Sequence, residues 1–242
     1  MKKVLSSLLM TGTLLLTAAA PLVANAESVP NTTGKTDVTA SFTGNTNPVT
    51  PVDPDDPNKP VDPDPGTNGS TSGNEGGGQL SLIYAPKTFN FGSHQIDVLN
   101  DQSYALDTSD TTIKTSLWGS ANNVVLEVSD VRGTNAGWNL TASGSELKSG
   151  DDKLVGASIT LPGGDVTASG ATKTNGAVSV AAKLATTGEA QTVLNAAAGN
   201  GAGVTVDQIK PSEIKLNVPA NTAKAQTYTG SINWNLSDTP AQ

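Results

Sequence analysis

The sequence predicts an all-β protein, with a single β-sandwich-like domain of short antiparallel strands over residues 80–242. Short apolar runs in this region alternate with polar residues, which is the period of half-buried strands. Gly, Pro, Asn and Asp separate the runs at intervals typical of sandwich folds. All three Trp and all three Tyr lie here, and about 160 residues are enough for one hydrophobic core.

The predicted strands share this apolar and often alternating character, and they cover residues 80–84, 94–99, 124–128, 154–161, 178–180, 204–206 and 213–218. One segment departs from the pattern. Residues 189–198 contain an Ala run beside Val193 and Leu194, which predicts one or two helical turns.

The N-terminal residues 1–26 have the pattern of a secretion signal. Two lysines precede an apolar run, and Ala24-Asn25-Ala26 fits the small residues at a signal-peptidase site, so cleavage is expected after Ala26. The run is short for a membrane span, and no membrane contact is expected once the signal is removed. The chain has no cysteine, which excludes disulfides and thiolate chemistry.

Residues 27–79 are predicted to form a disordered, acidic Pro/Asp/Gly-rich tether. They hold eight acidic residues against two lysines, a degenerate Pro-Val-Asp-Pro repeat, and then a Gly/Ser-rich stretch. Such a sequence favours extended polyproline II, and almost nothing between residues 43 and 79 is expected to be buried. A spacer and a solubilising tail both fit this composition.

The charge pattern limits the classes of partner. The net charge is −8 and Arg132 is the only arginine, so no basic surface is available for nucleic acid. The single histidine, His94, lies in a predicted strand without an accompanying nucleophile motif. Glu127 and Asp130 are predicted to face opposite sides of their strand, unlike a glycosidase pair. The sequence therefore predicts no enzyme, no cofactor and no metal site.

One tripeptide, Trp-Asn-Leu, occurs twice, at Trp138-Asn139-Leu140 and at Trp234-Asn235-Leu236. In a strand, the Trp and Leu of each copy share one face and the Asn points the other way. Each Trp is then either a core anchor or a ring that stacks on a sugar, with the Asn, Thr and Ser face behind it offering neutral hydrogen bonds.

The two copies and their flanks resemble the WxL family of surface proteins from low-GC Gram-positive bacteria. The similarity extends to Asn90-Phe91-Gly92, to Leu216-Asn217-Val218-Pro219 and to the ending Ser237-Asp238-Thr239-Pro240. The resemblance implies a secreted, cell-surface β domain that binds peptidoglycan without a covalent link, often beside other surface proteins. The sequence ends without a Leu-Pro-x-Thr-Gly signal, which also favours non-covalent retention. The alternative is a surface-complex or adhesin subunit that uses the domain as a protein-docking platform.

Asp130 and Arg132 are accessory candidates in the turn before the first copy. Arg132 is expected either to form a local ion pair with a carboxylate such as Asp130 or to grip a peptide-stem carboxylate of the wall.

Overall fold

The computed structural model describes residues 34–61, 69–70, 78–108 and 123–241, with the backbone alone at 69–70. The predicted cleavage site at Ala26 lies outside these residues, as does Trp118. The chain divides into two units after Ser41. In the first unit, residues 34–41 are exposed and form no strand.

The second unit confirms the all-β prediction, since its regular structure consists of strands and one short 3-10 turn at Pro211–Glu213 in the part described. The strands are β1 (Val52–Asp53), β2 (Asp56–Pro60), β3 (Gly69–Ser70), β4 (Leu80–Pro86), β5 (Gln102–Ala105), β6 (Val124–Asp130), β7 (Trp138–Gly144), β8 (Lys148–Ser149), β9 (Asp152–Lys153), β10 (Ser158–Leu161), β11 (Asp165–Ala168), β12 (Ala177–Ser179), β13 (Ala182–Ala185), β14 (Gln191–Ala196), β15 (Gly203–Ile209), β16 (Lys215–Val218) and β17 (Ile232–Ser237).

Three larger antiparallel sheets carry the fold. The central sheet has the order β11-β15-β6-β4-β3, the motif sheet β12-β14-β7-β17, and the third sheet β13-β10-β16-β5. Two hairpins, β1-β2 and β8-β9, complete the strand pairing. Neighbours in these sheets are mostly distant in sequence, so long-range pairing sets the topology.

The main core lies where the three sheets meet. Leu126 and Val128 come from the central sheet, Trp138 and Leu140 from the motif sheet, and Leu161 from the third sheet. All five side chains have 1% or less of their surface exposed. Burial of apolar surface on this scale is the main stabilising contribution available to a chain without disulfides.

The predicted strand at residues 94–99 is wrong. These residues form an irregular segment, and Asp97 Oδ1 accepts hydrogen bonds from the backbone of Leu99 and Asn100 at 2.8 and 2.9 Å. These side-chain hydrogen bonds hold a turn in place of strand pairing. In the same segment, His94 stacks on Tyr104 with ring centroids 3.7 Å apart.

The helical prediction for residues 189–198 is also wrong, because β14 occupies Gln191–Ala196. β14 pairs with β7 on one side and with β12 on the other. The β-branched residues Thr192 and Val193 favour a strand, and the register shift between Thr192 and Leu194 obscures the alternation in the sequence.

Part of the predicted tether is folded, which corrects the expectation that residues 43–79 bury almost nothing. β1 and β2 form a hairpin in which Pro51, Val52, Pro54 and Pro57 are buried. Proline has no backbone N–H that would need an acceptor, and it keeps an apolar ring, so a Pro-rich hairpin packs well on a sheet face. The domain boundaries at residues 26 and 79 stay predictions.

Candidate functional site

The two Trp-Asn-Leu copies lie on neighbouring strands of the motif sheet. β7 and β17 pair antiparallel, with Leu140 opposite Leu236 and Trp234 opposite Ala142. β7 alternates strictly between buried and half-buried residues. The pairing brings together two motifs that stand far apart in sequence and aligns their faces.

Trp138 is a core residue in this arrangement. Its side chain is 0% exposed, and Nε1 donates a hydrogen bond of 3.0 Å to the carbonyl oxygen of Gly201. Gly201 has φ of +84°, and a Cβ there would overlap Trp138 Nε1. Gly137, at φ +79°, leaves no room for a Cβ beside the Ala196 carbonyl. The two glycines therefore allow the close packing of the loops around Trp138. The position of Trp138 is that of a core anchor, as one of the two interpretations predicts.

The second copy is more open. Trp234 and Leu236 are half-buried and pack against the main core, while Asn233 and Asn235 are exposed. β17 is an edge strand of its sheet, which explains why its inward side chains keep some exposure.

The outward side chains of β7 and β17 form a continuous uncharged surface with those of β14. We call this surface the neutral face, and it consists of Asn139, Thr141, Ser143, Thr192, Asn195, Asn233, Asn235 and Ser237. The strand register aligns Asn195, Asn139 and Ser237 in one row. A second row contains Thr192, Thr141 and Asn235. None of the four strands of the motif sheet contains a charged residue.

Amide and hydroxyl groups give this face both donors and acceptors. Within the described part of the chain, the buried Asn139 Oδ1 has no hydrogen-bond partner. Thr192 and Asn195 were missed by the sequence analysis, because residues 189–198 were predicted to be helical. Their assignment to β14 widens the face from two strands to three.

Arg132 forms the local ion pair that one of the two sequence interpretations predicts. Its Nε and Nη2 donate to the two oxygens of Asp130 at 2.9 and 2.8 Å, and Nη2 also donates to the Gly137 carbonyl at 2.7 Å. The pKa of Arg132 is raised, and the hydrogen bonds to Asp130 are the main cause. The side chain thereby ties the end of β6 to the residue that precedes Trp138.

Comparison of the chain with models of known protein families identifies its family. The model of the WxL domain surface cell wall-binding family matches residues 29–240. The chain belongs to this WxL family. Searches of curated proteins and of solved structures gave no match. The family resemblance predicted from the sequence is confirmed over nearly the whole chain.

Membership of the WxL family assigns cell-wall attachment in general and a cell-surface location to this protein. The described residues include no helix that is long and apolar enough to cross a membrane. The matched range also includes the β1-β2 hairpin. Wall contact by the individual motif residues stays a prediction.

Proposed function

We propose that the exported protein attaches non-covalently to the bacterial cell wall by binding peptidoglycan glycan through the neutral face. The observation that carries this proposal is the pairing of the two motif strands, which aligns Asn, Thr and Ser side chains over three adjacent strands. The indole of Trp138 lies inside the core, so its role is to hold β7 in place.

Charge supports a neutral contact surface. The chain carries a net charge of −8, so anionic wall polymers repel it. A sugar chain presents hydroxyl and amide groups, which Asn and Thr side chains bind without any change in charge. Retention through such contacts depends little on ionic strength, because salt screens charge and leaves neutral hydrogen bonds in place.

The motif residues divide into two roles in this proposal. Trp138, Leu140, Trp234 and Leu236 pack behind the sheet, and Asn139 and Asn235 point outward. Asp130 and Arg132 act as accessory residues that fix the loop before β7.

Co-sedimentation with purified peptidoglycan, stripped of anionic polymers, tests the proposal. We expect the wild-type chain to sediment with the wall both at low salt and in 1 M salt. The double variant Asn233→Ala, Asn235→Ala is expected to lose most of its binding without a change in melting temperature, since both side chains are exposed.

The matched control is Asn100→Ala, which removes an exposed amide from the Asp97 turn. It is expected to sediment like the wild type. Release by salt alone, or equal binding by the double variant and the wild type, would overturn the proposal. Sedimentation that requires added surface proteins would favour the docking-platform alternative instead.

A further inference from the structure

The β1-β2 hairpin covers the side of the central sheet that faces away from the main core. Val52 packs there against an apolar cluster of Tyr84, Val125, Val204 and Val206. Gln208 Nε2 donates to the Pro54 carbonyl at 3.0 Å, which ties the hairpin to β15. The hairpin is thus docked by both apolar and polar contacts.

A carboxyl group lies in the middle of this interface. Glu127, on β6, is 0% exposed, and its Oε2 accepts a hydrogen bond of 3.0 Å from the backbone N–H of Val52. Its Oε1 is buried without a hydrogen-bond partner within the described ranges. The hydroxyls of Ser81, Ser129 and Thr167 are likewise buried without partners there. The strand register places all three on the same side of the sheet as Glu127.

Among the residues that the structure describes, the charged and titratable groups around Glu127 give it no counter-ion. From β4, the opposing residue is Tyr84, whose pKa is raised to about 12 by burial first and by Glu127 second. From β15, the opposing residue is the apolar Val206. From the hairpin, Asp53 is the charged neighbour that acts on Glu127, and Lys59 pairs with Asp53 at 3.4 Å.

The other charges of the hairpin act elsewhere. Asp56 pairs with Lys173 at 3.6 Å, and Asp55 is exposed. Within the described ranges, the ionised form of Glu127 therefore has only the Val52 N–H to replace its lost hydration. Burial accordingly raises the pKa of Glu127 from 4.5 to about 8, against the lowering effect of the Val52 hydrogen bond.

We propose that protonation of Glu127 latches the Pro-rich hairpin onto the central sheet, and that ionisation of this carboxyl releases it. Release frees residues 51–61 from the sheet and uncovers the apolar cluster of Tyr84, Val125, Val204 and Val206 beneath them. The latch goes beyond wall attachment, because it controls whether the second side of the central sheet is covered.

The direction of the pH dependence follows from the two states of Glu127. The pKa in the docked state is about 8, and in the released state it returns towards 4.5. Docking is therefore strongest below pH 4.5 and weakens as the pH rises towards 8. The docking equilibrium constant is expected to fall about tenfold per pH unit over this range, and about a thousandfold in total.

Amide hydrogen exchange of the full-length chain, followed by NMR between pH 5 and 8, tests the latch. After correction for intrinsic exchange, the protection factor of the Val52 amide is expected to fall about tenfold per pH unit. The β6 amides, which report opening of the whole domain, serve as the reference. In Glu127→Gln, which keeps an acceptor but cannot ionise, Val52 protection is expected to be independent of pH.

Asp207→Asn is the matched control, because Asp207 is a second buried carboxyl on the same sheet with its side chain on the opposite side. This variant is expected to keep the pH response of Val52. The latch is refuted if Glu127→Gln retains that response, or if Val52 exchanges with the β6 amides at every pH. A carboxyl titration of the wild type covers the case in which Glu127→Gln does not fold. Glu127 titrating near its ordinary value would then refute the latch.

Discussion

Replacement of Trp138 by Ala tests the assignment of this motif residue to the core. The ring is 0% exposed and forms one hydrogen bond, to the Gly201 carbonyl. Trp-to-Ala substitutions in cores cost about 3–5 kcal/mol, and the unpaired carbonyl adds about 1 kcal/mol. For a domain of this size, a loss of about 5 kcal/mol corresponds to a fall in melting temperature of roughly 10–20 °C.

Thermal unfolding followed by circular dichroism measures this loss. Trp138→Phe serves as a graded comparison, because it keeps an aromatic ring and removes the donor to Gly201. Its expected cost is about 1–3 kcal/mol. Asn235→Ala, on the exposed side of the second copy, is expected to change stability by less than about 0.5 kcal/mol. A melting temperature of Trp138→Ala within about 2 °C of the wild type would refute the core assignment.

Three further substitutions test the surroundings of the motif sheet and the buried charges. Gly201→Ala is expected to cost at least about 2 kcal/mol in urea unfolding, since φ is +84° and the added Cβ overlaps Trp138. Arg132→Lys loses the two-pronged contact with the buried Asp130, and a destabilisation of about 2 kcal/mol is expected by the same assay. Burial raises the pKa of Asp207 from 3.8 to about 7. The folded state therefore favours the protonated carboxyl, and this group contributes to stability at low pH. As the pH rises from 4 to 7, its contribution to the unfolding free energy falls by up to about 4 kcal/mol. Asp207→Asn is expected to remove this part of the decline, and an unchanged pH profile would contradict it.

The sequence was informative where alternation was strict. Trp138, Leu140 and the Asn between them read as a strand with an apolar and a polar side, and the structure has that strand. The family match then confirmed the resemblance that the repeated tripeptide suggested. Local periodicity was sufficient to predict this strand, because its apolar residues are the buried ones and its polar residues are the half-buried ones.

Other elements depend on contacts that a linear pattern does not contain. The register shift in β14 breaks the period of two, so Thr192 and Asn195 did not read as part of a strand. The alternating residues 94–99 are held instead by side-chain bonds to Asp97. Pairing of β7 with β17 joins residues about 90 positions apart, and only the fold shows it.

The Pro-rich hairpin illustrates a different limit. Its composition is typical of an extended, solvated segment. Its few apolar side chains do not indicate that it packs against the folded domain. The surface it packs on comes from Val125, Val204 and Val206, on strands for which the sequence predicts a single core. A second, smaller cluster on the other side of the central sheet became visible only with the topology.

The central claim, that glycan binds on the neutral face, is tested most directly by NMR of the Asn side-chain amides with soluble peptidoglycan fragments. We predict shifts for Asn139, Asn195, Asn233 and Asn235 that saturate together as fragment is added, with little change at Asn100. Shifts confined to the Asp97 turn or to the β1-β2 hairpin, with the four amides of the neutral face unmoved, would contradict the account.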